Sequence, residues 1–159
     1  MVLLKNREIA ENQWNFVPDE ETIPLQGNII VTLQRWIDEK ERLQAHNGQV
    51  GVQLDGADDP YELSKDVLTA PLIALTFPRF ADGRNYSTAR ILRENLGYKG
   101  ILRARGDVLR DQVFYMWRVG IDEQELADGV PTESALKAFK DFSVVYQPGA
   151  DEPNPIFRR

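Results

Sequence analysis

The segment Leu72–Arg118 decides the fold, and it reads LIALTFPRFADGRNYSTARILRENLGYKGILRARGDVLRDQVFYMWR. Leu72–Phe77 is a run of β-forming residues bounded by prolines, which is typical of a buried strand. After a polar loop, a helix is predicted from Tyr86 or Ser87 to Leu96. A second strand is predicted over Ile101–Arg105. Asp107 is then the predicted N-cap of a second helix that runs to Arg118. Two strand–loop–helix units therefore follow each other directly.

The rest of the chain extends this alternation in both directions. Residues 1–24 are predicted to form short strands or a hairpin that packs on the main body. Strands recur with helices between them at intervals of about 20–30 residues, which is typical of βαβ units. The predicted class is therefore α/β with a mainly parallel sheet, either half of a TIM-like barrel or an open doubly wound sheet. The further predicted elements are a helix over Thr32–Ala45, strands over Val50–Leu54, Gln124–Leu126 and Ser143–Tyr146, and a helix over Pro131–Asp141.

Length and composition limit the domain organisation and the possible chemistry. A chain of 159 residues with 42% apolar content is long enough for one core. We expect a single α/β domain over residues 1–146 and an extended or disordered tail over residues 147–159, which contain three prolines. The absence of cysteine excludes disulfides, thiolate metal ligands and Fe–S ligation by this chain. No apolar run approaches the ~20 residues of a membrane span, so we expect a cytoplasmic protein.

Charge is distributed unevenly along the sequence. The stretch Phe77–Arg118 contains nine basic and four acidic residues, whereas the whole chain has a formal net charge of −6. An acidic protein repels a polyanion such as DNA, but a local positive region can still attract a small anion. The charge pattern therefore favours a small-anion site and argues against nucleic-acid binding.

The candidate anion-binding residues follow the two central predicted strands. Ligands of parallel α/β proteins bind at the carboxyl ends of the strands, and helix N-termini there offer free N–H groups. Arginine suits oxyanions because its planar fork matches their geometry. We expect Arg103 to be partly exposed. The candidates for anion binding are Arg84, Ser87, Arg103, Arg105 and Arg110.

Most of these polar residues also have a purely structural interpretation. Asp–Gly is a common turn dipeptide, Ser and Asp are good helix caps, and Arg–Asp pairs often pin loops together. Gly83, Gly106, Asp111 and Gln112 are accordingly predicted to be loop or capping residues. The sequence leaves open whether the arginines bind a ligand or hold the loops.

Candidate catalytic residues are few. Asp82 and Asp107 could act as acid or base, and Tyr86 as a proton donor. The acidic loop Asp55–Asp59 does not match a calcium-binding loop and is better explained by helix capping, so no metal site is predicted. His46 lies in a predicted helix-ending turn, away in sequence from carboxylates or serine. Dinucleotide-binding, P-loop, nucleophile-elbow and zinc-protease motifs are all missing.

The sequence contains two motifs that are similar to those of a known family. The pattern D-G-R-x-Y-S-x-A-R-x-L-R falls on Asp82–Arg93, and L-R-A-x-G-D-V-L-x-D-Q falls on Leu102–Gln112. With these motifs the chain resembles a bacterial domain-of-unknown-function family described as a probable oxidoreductase involved in sulfite reduction. Its members are typically encoded beside sulfite reductase and phosphoadenylylsulfate reductase. The resemblance is strongest over Phe77–Asp122, weaker over Trp14–Pro71, and departs after Gly120.

The resemblance implies a bacterial protein linked to assimilatory sulfate reduction. Electron transfer would need a borrowed cofactor, because the chain has no cysteine and no dinucleotide fingerprint. We therefore expect an accessory protein that binds a small oxyanion, or docks on sulfite reductase or phosphoadenylylsulfate reductase, through the Arg/Asp-rich loops. The alternatives are an enzyme acting on a sulfur oxyanion and a purely structural component. A homodimer is also expected, because such a sheet has edges to protect.

Overall fold

Eight strands form one curled half-barrel sheet in the computed structural model, which describes residues 1–79 and 81–141. The sheet order is β2-β1-β8-β7-β6-β5-β4-β3. Strands β3 to β8 are parallel, whereas β1 is antiparallel to both β8 and β2. The strands are β1 (Val2–Lys5), β2 (Glu8–Ala10), β3 (Trp14–Phe16), β4 (Asn28–Thr32), β5 (Val50–Leu54), β6 (Leu72–Phe77), β7 (Ile101–Gly106) and β8 (Glu123–Leu126).

This architecture confirms the predicted α/β class with a mainly parallel sheet, and it selects the half-barrel over the open sheet. The predicted N-terminal hairpin is formed by β1 and β2. The predicted strand Ser143–Tyr146 and the tail 147–159 lie outside the described residues.

The helices follow the parallel strands. They are α1 (Leu33–Asp38), α2 (Lys40–Gln44), a 3-10 turn (Pro60–Glu62), α3 (Lys65–Leu68), α4 (Arg84–Arg90), a π-helical segment (Ile91–Asn95), α5 (Arg110–Arg118) and α6 (Thr132–Ala138). The predicted helix over Thr32–Ala45 is divided at Glu39, whose backbone leaves the helical region at φ −111° and ψ 26°. None of the helices within the described residues is long and apolar enough to cross a membrane.

The predicted start positions of two helices are wrong. The N–H of Asp107 donates to the carbonyl of Phe77 at 2.7 Å and so continues the pairing of β6 with β7. Helix α5 begins three residues later, with Leu109 as its N-cap and the side chain of Gln112 accepting the Leu109 N–H at 2.9 Å. Ser87 lies inside α4, because that helix already begins at Arg84. Helix α5 therefore begins later, and α4 earlier, than the sequence predicts.

The sheet curls so far that its two edges come close together. Strands β2 and β3 are the opposite edges, yet only the three residues Glu11–Gln13 separate them in sequence. Four Cα–Cα steps of about 3.8 Å reach at most ~15 Å. The link Glu11–Gln13 therefore joins the two edges across the concave face, which becomes a partly enclosed interior.

The two faces of the sheet have different partners. On the convex face, Leu102 and Ala104 of β7 are buried in the main core with the helices. On the concave face, Trp14, Ile30, Leu72 and Ala74 form a smaller apolar cluster. Because side chains alternate along a strand, the other residues of β7, among them Arg103 and Arg105, project to the concave face. The half-barrel thus has charged side chains in its interior.

Candidate functional site

Two arginines and two glutamates face each other inside the half-barrel. Arg103 of β7 lies opposite Glu123 of β8 in the sheet register. The same alternation brings Arg105 next to Glu125, and their side chains form an ion pair. All four side chains project from the concave face. The interior therefore contains an inner and an outer ion pair.

The inner pair is almost completely buried. Arg103 is 1% exposed and Glu123 is 3% exposed, and Nε and Nη2 of the arginine each lie 2.8 Å from the same oxygen, Oε2 of Glu123. Nη1 of Arg103 donates to Asn12 Oδ1 at 2.8 Å, and Nζ of Lys5 lies 3.3 Å from Glu123 Oε1. The prediction that Arg103 is partly exposed is wrong, because its charge is neutralised inside the sheet. This pair ties β7 and β8 to β1 and to the link Glu11–Gln13.

The outer pair is closer to solvent. Nε of Arg105 donates to Glu125 Oε2 at 3.0 Å, and Nη1 donates to Gln53 Oε1 at 2.5 Å. The guanidinium carbon lies 4.4 Å from the ring centroid of Phe16. The Arg105 side chain is 18% exposed. No hydrogen bond among the described residues uses its Nη2, so a fixed guanidinium retains one group free to donate.

Arg105 also lines a cavity. It has a volume of about 270 Å³, and its lining includes Asn15, Phe16, Arg105 and Glu125. Arg105 is one residue before the end of β7, so the cavity lies toward the carboxyl ends of the parallel strands. Ligand sites of barrel enzymes occur at that end.

A second cavity lies toward the opposite ends of the strands. It has a volume of about 310 Å³, and its lining includes Lys5, Asn28 and Gln49. Trp14 and Arg103 line both cavities. These two side chains therefore lie between the two cavities. We call the cavity lined by Arg105 the outer cavity and the cavity lined by Lys5 the inner cavity.

The arginines on the rim are paired locally. Arg84 forms two bonds to Asp82, Nε–Oδ1 at 2.9 Å and Nη2–Oδ2 at 2.7 Å, and these bonds lower the pKa of Asp82. The Arg84 side chain lies over the loop after β5, where a Cβ on Gly56 would be 2.6 Å from Arg84 Nε. Loops after β5 and β6 are thus joined at the rim. This arrangement pins loops together and adds no guanidinium to the interior.

Arg110 is also paired away from the interior. Its Nη1 lies 3.0 Å from Asp141 Oδ2 and 3.2 Å from Asp111 Oδ1, and its Nε donates to Ser134 Oγ at 3.0 Å. These contacts tie the start of α5 to α6. The structure brings Arg103 and Arg105 together but leaves Arg84 and Arg110 in separate contacts.

The candidate catalytic residues occupy the rim as well. Tyr86 packs against Phe77 and Tyr115, with ring centroids 5.0 and 5.3 Å away. Burial raises the pKa of Tyr86, and a hydrogen bond with Gln112 opposes that shift. The loops of Asp82 and Asp107 follow the neighbouring strands β6 and β7 and so lie on the same edge of the sheet. Among the described contacts, none joins Asp82, Asp107 or Tyr86 to Arg103 or Arg105.

The remaining predicted loop residues have structural roles. Gly106 has a φ of +105°, and a Cβ there would lie 2.5 Å from the carbonyl oxygen of Phe77. Only glycine fits this close approach without strain. Gly83 immediately precedes α4, and Ser87 is exposed on that helix.

The acidic loop after β5 is explained by local hydrogen bonds. Oδ1 of Asp59 accepts the N–H of Tyr61 at 2.9 Å, and Oδ2 of Asp58 accepts the N–H of Asp55 at 2.8 Å. The nitrogen Nε2 of His46 lies 2.7 Å from the carbonyl oxygen of Gly27 and holds a turn. Within residues 1–79 and 81–141, no group of three or more His, Asp or Glu side chains is placed to hold a metal ion.

Several residues of the interior were missed by the sequence analysis. Glu125, Gln53 and Phe16 contact Arg105 directly. The glutamates left a signal, because charged residues recur with a period of two in both R-A-R and E-Q-E. Such a pattern indicates one charged face on each strand. Nothing comparable marks Gln53 or Phe16, whose contacts depend on the curl of the sheet.

Comparison with known proteins gives one family. Residues 51–157 match the model of a family described as "Bacterial protein of unknown function (DUF934)". No curated protein and no solved structure matches the chain. The matched range includes both interior ion pairs, whereas Asn12 and Phe16 precede it.

Proposed function

The chain belongs to a bacterial family of unknown function, and from its interior we propose that it binds a small oxyanion at Arg105 as an accessory protein of sulfite reduction. The proposal rests on the way in which the Arg105 side chain is held. Glu125, Gln53 and Phe16 hold the Arg105 guanidinium, while its Nη2 remains without a hydrogen bond among the described residues, in a side chain that lines the cavity. A guanidinium held in this way loses little side-chain entropy when a ligand binds.

The charges of the interior balance each other, so the attraction for an anion comes from the Arg105 guanidinium itself. Arg103 and Arg105 are paired with Glu123 and Glu125. The side chain of Lys5 is 45% exposed and lines the other cavity. A hydrogen bond between a guanidinium and an anion is charge-assisted, and it is stronger in a partly enclosed cavity, where the effective dielectric constant is lower than in water.

The cavity also suits a small ligand. Its volume of about 270 Å³ is slightly below the range of ~300–1,000 Å³ for drug-sized ligands, which suits a small anion. Asn15 lines the cavity and can offer further hydrogen bonds, and Phe16 supplies an apolar wall. The resemblance of the motifs over Phe77–Asp122 to a family linked with sulfite reduction supports sulfite as the anion.

Binding is better supported than acid–base chemistry at this site. The candidate acids and bases Asp82 and Asp107 are on the rim, and Asp82 is engaged by Arg84. A general acid or base must lie within hydrogen-bond reach of the reacting group. We therefore place the accessory, binding role ahead of an enzyme acting on a sulfur oxyanion.

Titration of the purified chain tests the anion site. Isothermal titration calorimetry with sulfite should give saturable binding to the wild-type protein, and Arg105→Gln should weaken it at least ~10-fold, or about 1.4 kcal/mol. Arg84→Gln is the matched control, since it removes a guanidinium from the rim alone. If Arg84→Gln abolishes binding and Arg105→Gln leaves it unchanged, the site is on the rim and the proposal is wrong.

The accessory role has a separate test. The tagged chain should copurify with sulfite reductase or phosphoadenylylsulfate reductase from the same bacterium. Tight sulfite binding without copurification would argue for a protein that acts alone.

A further inference from the structure

Two polar atoms of the outer ion pair have no partner among the described residues. Nη2 of Arg105 makes no hydrogen bond there, and neither does Oε1 of Glu125, although Nε and Oε2 of the same side chains are joined at 3.0 Å. In a fully bidentate arginine–carboxylate pair, these two atoms would bond to each other. Both residues line the outer cavity. A donor and an acceptor therefore stand side by side at the edge of the same space.

The chemistry of these two groups is complementary. A guanidinium nitrogen can only donate hydrogen bonds, and a carboxylate oxygen can only accept them. A ligand that bridges them needs an acceptor oxygen for Arg105 and a hydrogen-bearing oxygen for Glu125. A protonated oxyanion with a single charge, such as hydrogen sulfite or dihydrogen phosphate, presents both. Sulfate has no proton at neutral pH and would place a bare oxygen against the carboxylate.

The carboxylate of Glu125 itself acts against a doubly charged ligand, although two arginines lie near its other oxygen. Oε2 of Glu125 lies 3.9 Å from Nη1 of Arg103 as well as 3.0 Å from Nε of Arg105. The other charged groups of the interior are Glu123 on the same strand and Lys5 on β1, which pair with each other at 3.3 Å. A dianion beside Glu125 would experience like-charge repulsion that surrounding water screens poorly in a partly enclosed cavity.

We infer that Glu125 determines the specificity of the Arg105 site by selecting small oxyanions that carry a proton and rejecting sulfate. This inference rests on the proposed function, because it requires an oxyanion site at Arg105. A ligand that lacks the proton would cover the Glu125 oxygen without donating to it, and an acceptor buried in this way is costly, so such a ligand binds with a penalty. Discrimination by a missing hydrogen bond of this kind is far stronger than discrimination by size.

The test compares inorganic phosphate, sulfite and sulfate. In titration calorimetry at mildly acidic pH, the wild-type protein should bind phosphate and sulfite at least ~10-fold more tightly than sulfate. Glu125→Gln replaces one carboxylate oxygen by an amide donor, so this variant should gain affinity for sulfate and lose the preference. Glu133→Gln is the matched control, because Glu133 is exposed on α6, away from the cavity.

The outcomes separate the inference from the proposed function. Equal affinity of the wild-type protein for phosphate and sulfate would overturn the role of Glu125 while leaving the site at Arg105 intact. If none of the three anions binds, the proposed function itself fails. Should Glu125→Gln not fold, a pH series on the wild-type protein decides the question. Sulfite affinity should then fall as sulfite loses its proton, and a flat profile would contradict the inference.

Discussion

Arg103 and Glu123 form an ion pair almost without access to water, at 1% and 3% exposure. Removing one partner of such a pair leaves an uncompensated buried charge. We therefore predict that Arg103→Ala lowers the free energy of unfolding by about 3–5 kcal/mol, as measured by urea denaturation. Arg84→Ala, which breaks the exposed pair with Asp82, should leave the free energy of unfolding almost unchanged, because water and salt screen such a pair.

The double variant Arg103→Met with Glu123→Leu is the informative control. It removes both charges together, so it should recover most of the stability lost in Arg103→Ala. A double variant as unstable as the single one would show that the hydrogen bond to Asn12 and the ion pair with Lys5 dominate, and not charge compensation between Arg103 and Glu123. Loss of stability in Arg84→Ala equal to that in Arg103→Ala would contradict the prediction outright.

At the residue scale, the sequence predicted local hydrogen bonds better than burial. Asp59 was predicted to cap the following helical turn, and its side chain does accept the N–H of Tyr61. That contact depends only on residues two positions apart. Arg103 was predicted to be partly exposed, yet it is buried. A charged face of a strand usually meets water. The same period-two pattern arises when a charged face meets opposite charges, as it does here with Glu123.

At the element scale, Asp66 joins three helices. Its Oδ2 accepts the indole N–H of Trp36 on α1 at 3.1 Å and lies 3.1 Å from Nζ of Lys40 on α2. Hydrogen bonds from Ser64, Trp36 and Lys40, in that order, lower the pKa of Asp66 well below its usual range. This carboxylate thus ties α3 to the pair of helices that follows β4.

Asp66→Asn should therefore destabilise the protein in a pH-dependent way. The pKa of Asp66 is lower in the folded state than in the unfolded state, so its contribution is present above the unfolded value of about 3.9 and is lost as pH falls below it. Urea unfolding should show a difference between wild type and variant at neutral pH that shrinks in acid. Asp128→Asn, at an exposed site, is the control. A difference that is constant with pH would contradict this account.

The sequence predicted the existence of the helices better than their internal geometry. The helix after β6 was predicted to run from Tyr86 or Ser87 to Leu96, and in the structure α4 continues into the π-helical segment Ile91–Asn95. Within that segment, Arg93 donates to the carbonyls of Tyr98, Gly100 and Gly120 and to the carboxylate of Asp122. These acceptors are brought to it by tertiary packing. A pattern of apolar spacing contains no information about them.

At the scale of the whole molecule, the alternation of strands and helices predicted the class but not the curvature. The half-barrel depends on β1 pairing with β8 and on the short link Glu11–Gln13 between the two edges of the sheet. Pairing partners distant in sequence leave no local signal. For the same reason the predicted rim site and the interior cavity could not be distinguished in advance. The expected homodimer and the domain boundary at residue 146 stay predictions.

The single domain can be tested by dividing the chain. The family match begins at residue 51, yet β1 to β4 belong to the same sheet. Removing residues 1–48 would leave β5 and β8 as unpaired edges and would take away Leu4, Ile29 and Val31, which are completely buried. Edges of this kind are aggregation-prone when they are exposed. We therefore predict that residues 49–159 alone form no cooperatively folded monomer.

The measurement is urea unfolding followed by circular dichroism, with the full chain as reference. The full chain should unfold in one transition, since small single domains usually do so. The fragment 49–159 should lack that transition, and addition of a peptide covering residues 1–48 should restore it, because the peptide supplies the partners of both β5 and β8. If the fragment alone unfolds cooperatively near the midpoint of the full chain, the N-terminal strands are an accessory to a separate domain. The interior ion pairs would then form in the absence of the link Glu11–Gln13.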